Sequence, residues 1–286
     1  MTELIRKPHL FQLRCNQARQ DHHTVGFVPT MGALHAGHAA LITSAKHHAT
    51  WTAVSIFLNP KQFGATEDLS RYPADLDRDM NLCRSLGVDV VFAPAVEDLY
   101  PQGFQTTVDV TELSSRWEGS HRPGHFKGVC TVVAKLACLV GDCVLWMGRK
   151  DYQQWKVIER LVADLHLPAR VQAHPIVRDA QGLALSSRNA YLSSDDYPRA
   201  LSLVQGLRQA GHAFTKGERR HHELLSLAHT PLHDNKAKID YAVIVDHENM
   251  TELASPLPER ALLAIAAYIG ETRLIDNMVL GEDPVP

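Results

Sequence analysis

The stretch GFVPTMGALHAGHAALI, Gly26 to Ile42, decides how the whole chain is read. An apolar run, Val25 to Val28, leads through a glycine-bearing turn into a helical spacing of apolar residues from Gly37 to His48. Strand, turn and helix in that order aim unpaired backbone N–H groups and the positive end of a helix at one point, which suits an anion such as phosphate. Gly32 and Gly37 let the backbone approach closely. The spacing imitates a Walker loop, but His38 and Ala39 stand where Lys and Ser or Thr are needed, so a Walker NTPase is disfavoured. What the turn offers instead is a pair of imidazoles, His35 and His38, whose N–H groups can stabilise charge growing on an attacked phosphorus. One core and one surface histidine, or a pair of metal ligands, are the other readings of such a pair. The company of Thr30, Gly32, Gly37 and a preceding strand favours phosphate chemistry.

Outward from this stretch, strand and helix signals alternate. TAVSIFL, 52 to 58, is a second β-rich run, and Leu76, Met80, Cys83 and Leu86 keep helical spacing up to Gly87, ahead of the strand DVVFA. Val129 to Val140 reads as helix, CVLWM at 143 to 147 as strand, Tyr152 to Leu165 as helix and ARVQAHPIV at 169 to 177 as strand. Successive β-α-β units predict an α/β fold, a doubly wound parallel sheet whose ligands bind beyond the carboxyl ends of its strands. After Val177 the pattern changes: helical stretches near 195 to 214 and 219 to 228 precede the strand candidates IDYAVIV, RALLAIAAYI and TRLIDNMVL. A second, smaller α+β C-terminal domain is expected, with domains at 1–177 and 178–286 joined by RDAQGLALSSRN. In HHELLSLAH, Ser226 breaks the zinc pattern H-E-x-x-H and leaves a solvated helix.

Bulk properties exclude several classes. A chain of 286 residues with 45% hydrophobic and 21% charged residues is globular in composition. Its formal charge of -3 supplies no basic excess for nucleic acid. The start, MTELIRKPHLFQ, lacks a secretory apolar core, and Lys135 and Asp142 interrupt the most apolar later segments, so no membrane association and a cytoplasmic location are expected. Five cysteines without a C-x-x-C pair read as buried, reduced thiols.

VPTMGALHAGH resembles the T-x-G-x-L-H-x-G-H signature of the pantothenate synthetases (pantoate–β-alanine ligases), within the wider HIGH-motif nucleotidyltransferases. The resemblance continues in order through SIFLNPKQFGATEDLSRYP, RPGHFKGVCTVVAKL, GRKDYQQ, GLALSSRNAYL and TRLIDNMVL. Coenzyme adenylyltransferases share the histidine signature but not the glutamines of NPKQF and KDYQQ. The resemblance implies a Rossmann-like larger domain that binds ATP and pantoate, a C-terminal lid domain, and ligation in two steps. Pantoate first attacks ATP to give pantoyl adenylate and pyrophosphate; β-alanine then displaces AMP to give pantothenate.

It also implies a set of roles. His35, His38 and Lys150 would be catalytic, with Met31, Gly148, Asp151, Val177, Ser186, Ser187 and Arg188 completing the ATP site. Gln62 and Gln154, with Asn59 and Met31, would hold pantoate and β-alanine. Magnesium would arrive with ATP, and the enzyme would be a homodimer. Asp77 and Asp79 either reach that ion or form the wet face of their helix, and GATEDLSRYP is a candidate cover for the site. Arg149 departs from the family, whose members commonly carry glutamate there.

Overall fold

The computed structural model describes residues 2–64, 69 and 72–286; most of the candidate cover at 64 to 73 lies outside them. The chain divides into two compact units, Met1–Arg149 with Gln153–Pro175, and Lys150–Tyr152 with Ile176–Pro286.

In the larger unit the elements run β1 (Glu3–Ile5), α1 (Pro8–Gln20), β2 (Val25–Thr30), α2 (Ala36–His48), β3 (Trp51–Ile56), α3 (Leu76–Ser85), β4 (Val90–Phe92), α4 (Val96–Leu99), α5 (Glu118–His121), α6 (His125–Val140), β5 (Cys143–Gly148), α7 (Tyr152–Asp164, whose first residue joins the other unit) and β6 (Ala169–His174). Among the described residues they build a six-stranded sheet in the order β1-β4-β3-β2-β5-β6, every pairing parallel. The expected doubly wound architecture is therefore present. Successive side chains on a strand face opposite ways, so a sheet covered on both sides needs apolar residues at every position. Phe27, Ala53, Phe92 and Leu145 enter one core with Phe11, Val133 and Ile158, while their neighbours Val28, Val54, Val91 and Trp146 enter another with Ile42 and Met80.

The strand order reverses at β2, which has β3 on one side and β5 on the other. β2 stays paired with β3 to Thr30↔Ile56, but its ladder with β5 ends at Phe27↔Leu145. The carboxyl ends of β2 and β5, which carry the 31–38 loop and Gly148, thus part at the position where open α/β sheets take ligands.

β1 and α1 are absent from the sequence reading. A three-residue strand shows no period, and α1 buries only Phe11, Cys15 and Ala18. Helix α6 begins at His125, ahead of the predicted Val129, because Gly124 in a left-handed conformation (φ 83°) starts it. Four cysteines are buried as expected, but Cys138 is exposed.

The smaller unit packs α8 (Asp196–Ala200), α9 (Ser202–Thr215) and α10 (His221–Asp234) with an antiparallel sheet of β7 (Lys238–Val245), β8 (Ala261–Ile269) and β9 (Thr272–Leu280) in the order β7-β8-β9. Its core joins Leu203, Leu207, Leu224 and Leu232 of the helices to Leu263, Ile265 and Leu274 of the sheet. Helix α10, read as solvated, is amphipathic: Leu224, Ala228 and Leu232 are buried. No helix among the described residues is long and apolar enough to cross a membrane.

Candidate active site

Thr30 ends β2 and hands the chain to a loop whose shape is fixed from both sides. Its hydroxyl donates to the Ser55 carbonyl (2.7 Å) and accepts from Gly32 N–H (3.1 Å). Gly32 and Ala33 then take left-handed conformations at φ 86° and 52°. The first suits glycine and the second is costly for alanine. A Cβ at Gly32 would also stand 3.0 Å from Asp79 Oδ2 and 3.1 Å from Ile56 Cγ2.

Asp79 holds the strained turn. Its carboxylate, 1% exposed, accepts Ala33 N–H at 2.9 Å and Leu34 N–H at 2.8 Å. Burial raises its pKa; donation from Leu34 and Ala33 opposes this, and the net position stays above the ordinary carboxylate value. This corrects the reading of Asp79 as an acid on a wet face or a reach for magnesium: both oxygens serve the loop that precedes the histidines. Sequence holds no signal for this, since the residues are 45 or more positions apart.

The loop delivers His35 as the cap of α2. Its Nδ1 accepts Gly37 N–H (3.1 Å), and Nδ1 of His38 accepts the His35 backbone N–H (3.3 Å). A ring nitrogen that accepts carries no proton, so each neutral ring holds its proton on Nε2. The rings lie 4.2 Å apart, centroid to centroid, at 51°. Two N–H donors of matched tautomer therefore stand at a helix start, the arrangement that suits oxygen atoms of growing negative charge.

Met31, Asn59 and Gln62 meet on the same unit. Asn59, 1% exposed, uses its whole amide: Nδ2 donates to Gln62 Oε1 (3.0 Å) and the Gly128 carbonyl (3.1 Å), while Oδ1 accepts from the Tyr100 hydroxyl (2.8 Å) and Lys61 N–H (3.3 Å). Burial pushes the Tyr100 phenol up to about 12, so it remains a donor. Among the described residues Gln62 Nε2 donates only to the Met31 thioether (2.9 Å), a weak acceptor that a carboxylate or hydroxyl oxygen outcompetes. The backbone carbonyl of Gln62 accepts from His125 Nδ1 (2.9 Å), and Arg122 donates to the other nitrogen of that ring (3.1 Å) and to Glu118 (3.2 Å). RPGHFKGV thus supports the glutamine, a role its sequence does not announce.

At the amino end of α7 the two glutamines differ. Gln153, 5% exposed, is consumed by the Leu113 and Arg116 carbonyls (2.6 and 2.8 Å) and Glu118 N–H (3.1 Å). Gln154, the predicted substrate ligand, is half-buried. Arg149 lies 5.7 Å over the Trp155 ring, a contact a glutamate could not make. Gly148 ends β5.

The remaining predicted residues belong to the smaller unit. Lys150 Nζ lies 3.6 Å from Asp151 Oδ1, with side chains 18% and 49% exposed. Val177 opens a hairpin closed by Leu185 N–H donating to its carbonyl (2.9 Å). Ser186 caps the turn that follows, its hydroxyl accepting Arg188 N–H (3.2 Å), and Ser187 and Arg188 begin the helical segment Ser187–Tyr191. One small cavity is lined by Lys150, Ser186, Asn189, Leu274 and Asp276.

Comparison with known proteins places these residues in context. Residues 3–279 match the family model described as pantoate–β-alanine ligase. A pantothenate synthetase of Bradyrhizobium diazoefficiens is 48% identical over 91% of this chain and 92% of its own length; one of Myxococcus xanthus is 49% identical over 92% and 91%. The crystal structure of the Thermus thermophilus pantothenate synthetase superposes with a TM-score of 0.91 at 41% identity, covering 96% of this chain and 98% of that one. The pantoate–β-alanine ligase of Francisella tularensis, described as complexed with β-γ ATP and β-alanine, superposes with a TM-score of 0.80 at 34% identity over the full length of both chains. With a family model spanning nearly the whole chain and relatives this similar, the protein belongs to the pantothenate synthetase (pantoate–β-alanine ligase) family, enzymes that condense pantoate with β-alanine using ATP.

Proposed function

We propose that the protein makes pantothenate through a pantoyl-adenylate intermediate, with the residues above in distinct roles. The observation that carries the proposal is the pair of imidazoles at the amino end of α2, each accepting a backbone N–H at Nδ1 and therefore carrying its proton on Nε2. A carboxylate oxygen of pantoate attacks the α-phosphorus of ATP, and pyrophosphate leaves. His35 and His38 donate to phosphate oxygens whose charge rises in that step, and Lys150 supplies a cation there. Ser186, Ser187 and Arg188 hold the β and γ phosphates, the arginine through a planar, permanently charged fork. Gly148 and Asp151 meet the ribose, and Met31 and Val177 bound the nucleotide.

Gln62 and Gln154 hold the hydroxyl and carboxylate of pantoate through neutral amides, which orient the nucleophile without the tight hold of an ion pair. Asn59 serves the substrate indirectly, since both of its amide hydrogens fix Gln62 and α6. In the second step the amine of β-alanine attacks the acyl carbonyl, AMP leaves and the ammonium proton is lost to solvent. No enzyme nucleophile is needed because ATP has already activated the acid.

Magnesium fits this scheme as a companion of ATP. Among the described residues no group of three or more His, Cys, Asp or Glu could cage an ion, and the two oxygens of Asp79 are engaged. An ion held by phosphate oxygens and water needs little more from the protein. A larger ATP and pantoate domain and a smaller lid domain, expected at 1–177 and 178–286 but with Lys150–Tyr152 and Ile176–Val177 belonging to the smaller unit, a homodimeric assembly and a cytoplasmic location complete the proposal. The test is an AMP-release assay: AMP should form only with ATP, pantoate and β-alanine together. Equal release without the acid or the amine overturns the two-step scheme.

A further inference from the structure

Asp276 and Asn277 sit side by side on β9, 2% and 4% exposed, in the IDN of TRLIDNMVL. Burying two such polar groups on an edge strand is costly unless their hydrogen bonds are made. Both are engaged, and their partners lie far apart in sequence.

Asp276 receives a bidentate pair from Arg178, Nη1 to Oδ2 at 2.6 Å and Nη2 to Oδ1 at 2.9 Å. Arg178 also donates to the Gly182 carbonyl (2.9 Å) and bridges to Ala184, so the carboxylate fixes the 177–185 hairpin. Asp179 tightens the same hairpin by accepting N–H from Gln181, Gly182 and Leu183 (2.9, 2.9 and 3.0 Å). Ser186 and Arg188 leave directly from this platform, and Asn189 Nδ2 ties them back to the Ala184 carbonyl (3.1 Å). Asn277 Nδ2 donates instead to the backbone carbonyl of Lys150 (2.8 Å). Fixing that carbonyl sets the direction in which the long lysine side chain leaves the backbone. Lys150, Ser186 and Asp276 line one cavity, so the two arms end beside each other.

We infer that Asp276 and Asn277 are positioning residues for adenylation, a bracket on β9 that sets the Lys150 cation against the Ser186–Arg188 segment before ATP arrives. A bidentate Arg–carboxylate pair and a buried amide are rigid, geometrically specific connections, and donors fixed in advance need no reorganisation when charge develops. The inference rests on the assignment of Lys150 and Ser186–Arg188 to the ATP phosphates.

The test is a mutant cycle on the full-length enzyme with Asn277→Ala, Lys150→Ala and both. Pyrophosphate release from ATP and pantoate reports adenylation; pantothenate formation from supplied pantoyl adenylate and β-alanine reports the second step. Asn277→Ala should slow adenylation by about tenfold or more, with pantoate KM and the second step little changed. In the Lys150→Ala background it should cost less than about threefold, because a positioning residue has nothing left to position. Arg178→Lys, which removes the fork from Asp276, should raise the ATP KM. Should Asn277→Ala fail to fold, Asn277→Ser, with a smaller donor, enters the same cycle. Multiplying effects of the two substitutions, or a normal adenylation rate in Asn277→Ala while Lys150→Ala is slow, would overturn the bracket and leave the role of Lys150 standing. A normal rate in Lys150→Ala would overturn both.

Discussion

Replacing His38 by Ala removes one Nε2–H donor and the acceptor of the His35 backbone N–H. Adenylation should slow by about 10²- to 10³-fold, roughly 3 to 4 kcal/mol of transition-state stabilisation. Supplied pantoyl adenylate should still be converted with β-alanine, because less phosphate charge develops in that step. Asp79→Asn should show the same signature in milder form, on the order of 10- to 10²-fold, since an amide nitrogen would face one of the two loop N–H groups and shift the loop. If either variant loses both half-reactions equally while folded, the histidine loop serves something other than phosphate charge. Gln62→Ala and Gln154→Ala should instead weaken pantoate binding and leave ATP binding intact. Calorimetry giving the reverse pattern contradicts their assignment.

At the level of elements, the close approach of α6 to the 59–62 turn decides whether Gln62 is presented at all. A Cβ on Gly128 would fall 2.2 Å from the Lys61 carbonyl oxygen and 2.6 Å from Gln62 N, both backbone atoms that cannot swing aside. Gly128→Ala should therefore push the turn away from the helix, break the Asn59 contact to the Gly128 carbonyl and cost about 1 to 3 kcal/mol of stability. Pantoate KM should rise with ATP KM unchanged. Thermal unfolding and steady-state kinetics check the two halves separately, and an unaltered melting temperature would show that the turn yields without cost.

Across the whole molecule the five cysteines report packing. Burial pushes the thiols of Cys15, Cys83, Cys130 and Cys143 up to about 12, whereas Cys138 is exposed on α6. The thiolate is the reactive form, so at pH 8 a buried thiol with such a pKa is about 10⁻⁴ ionised as well as shielded. Iodoacetamide should modify Cys138 alone in the native protein and all five positions in denaturant. Mass spectrometry that finds Cys143 labelled as fast as Cys138 would contradict the packing of β5.

The amino-acid sequence by itself determined the α/β class, the strand-turn-helix at Gly26 to His48, and the family. Those features are local: apolar period, turn glycines and motif residues are all written within a few positions of one another. Tertiary structure alone decided what braces the site. Asp79 reaches back to Ala33 and Leu34, His125 to Gln62, and Asn277 across more than a hundred residues to Lys150. It also separated Gln153, spent on loop carbonyls, from its half-buried neighbour Gln154, a distinction that two adjacent glutamines cannot show. A side chain's chemistry is fixed by its type, but whether its donors are already used depends on which distant backbone groups the fold brings within about 3 Å.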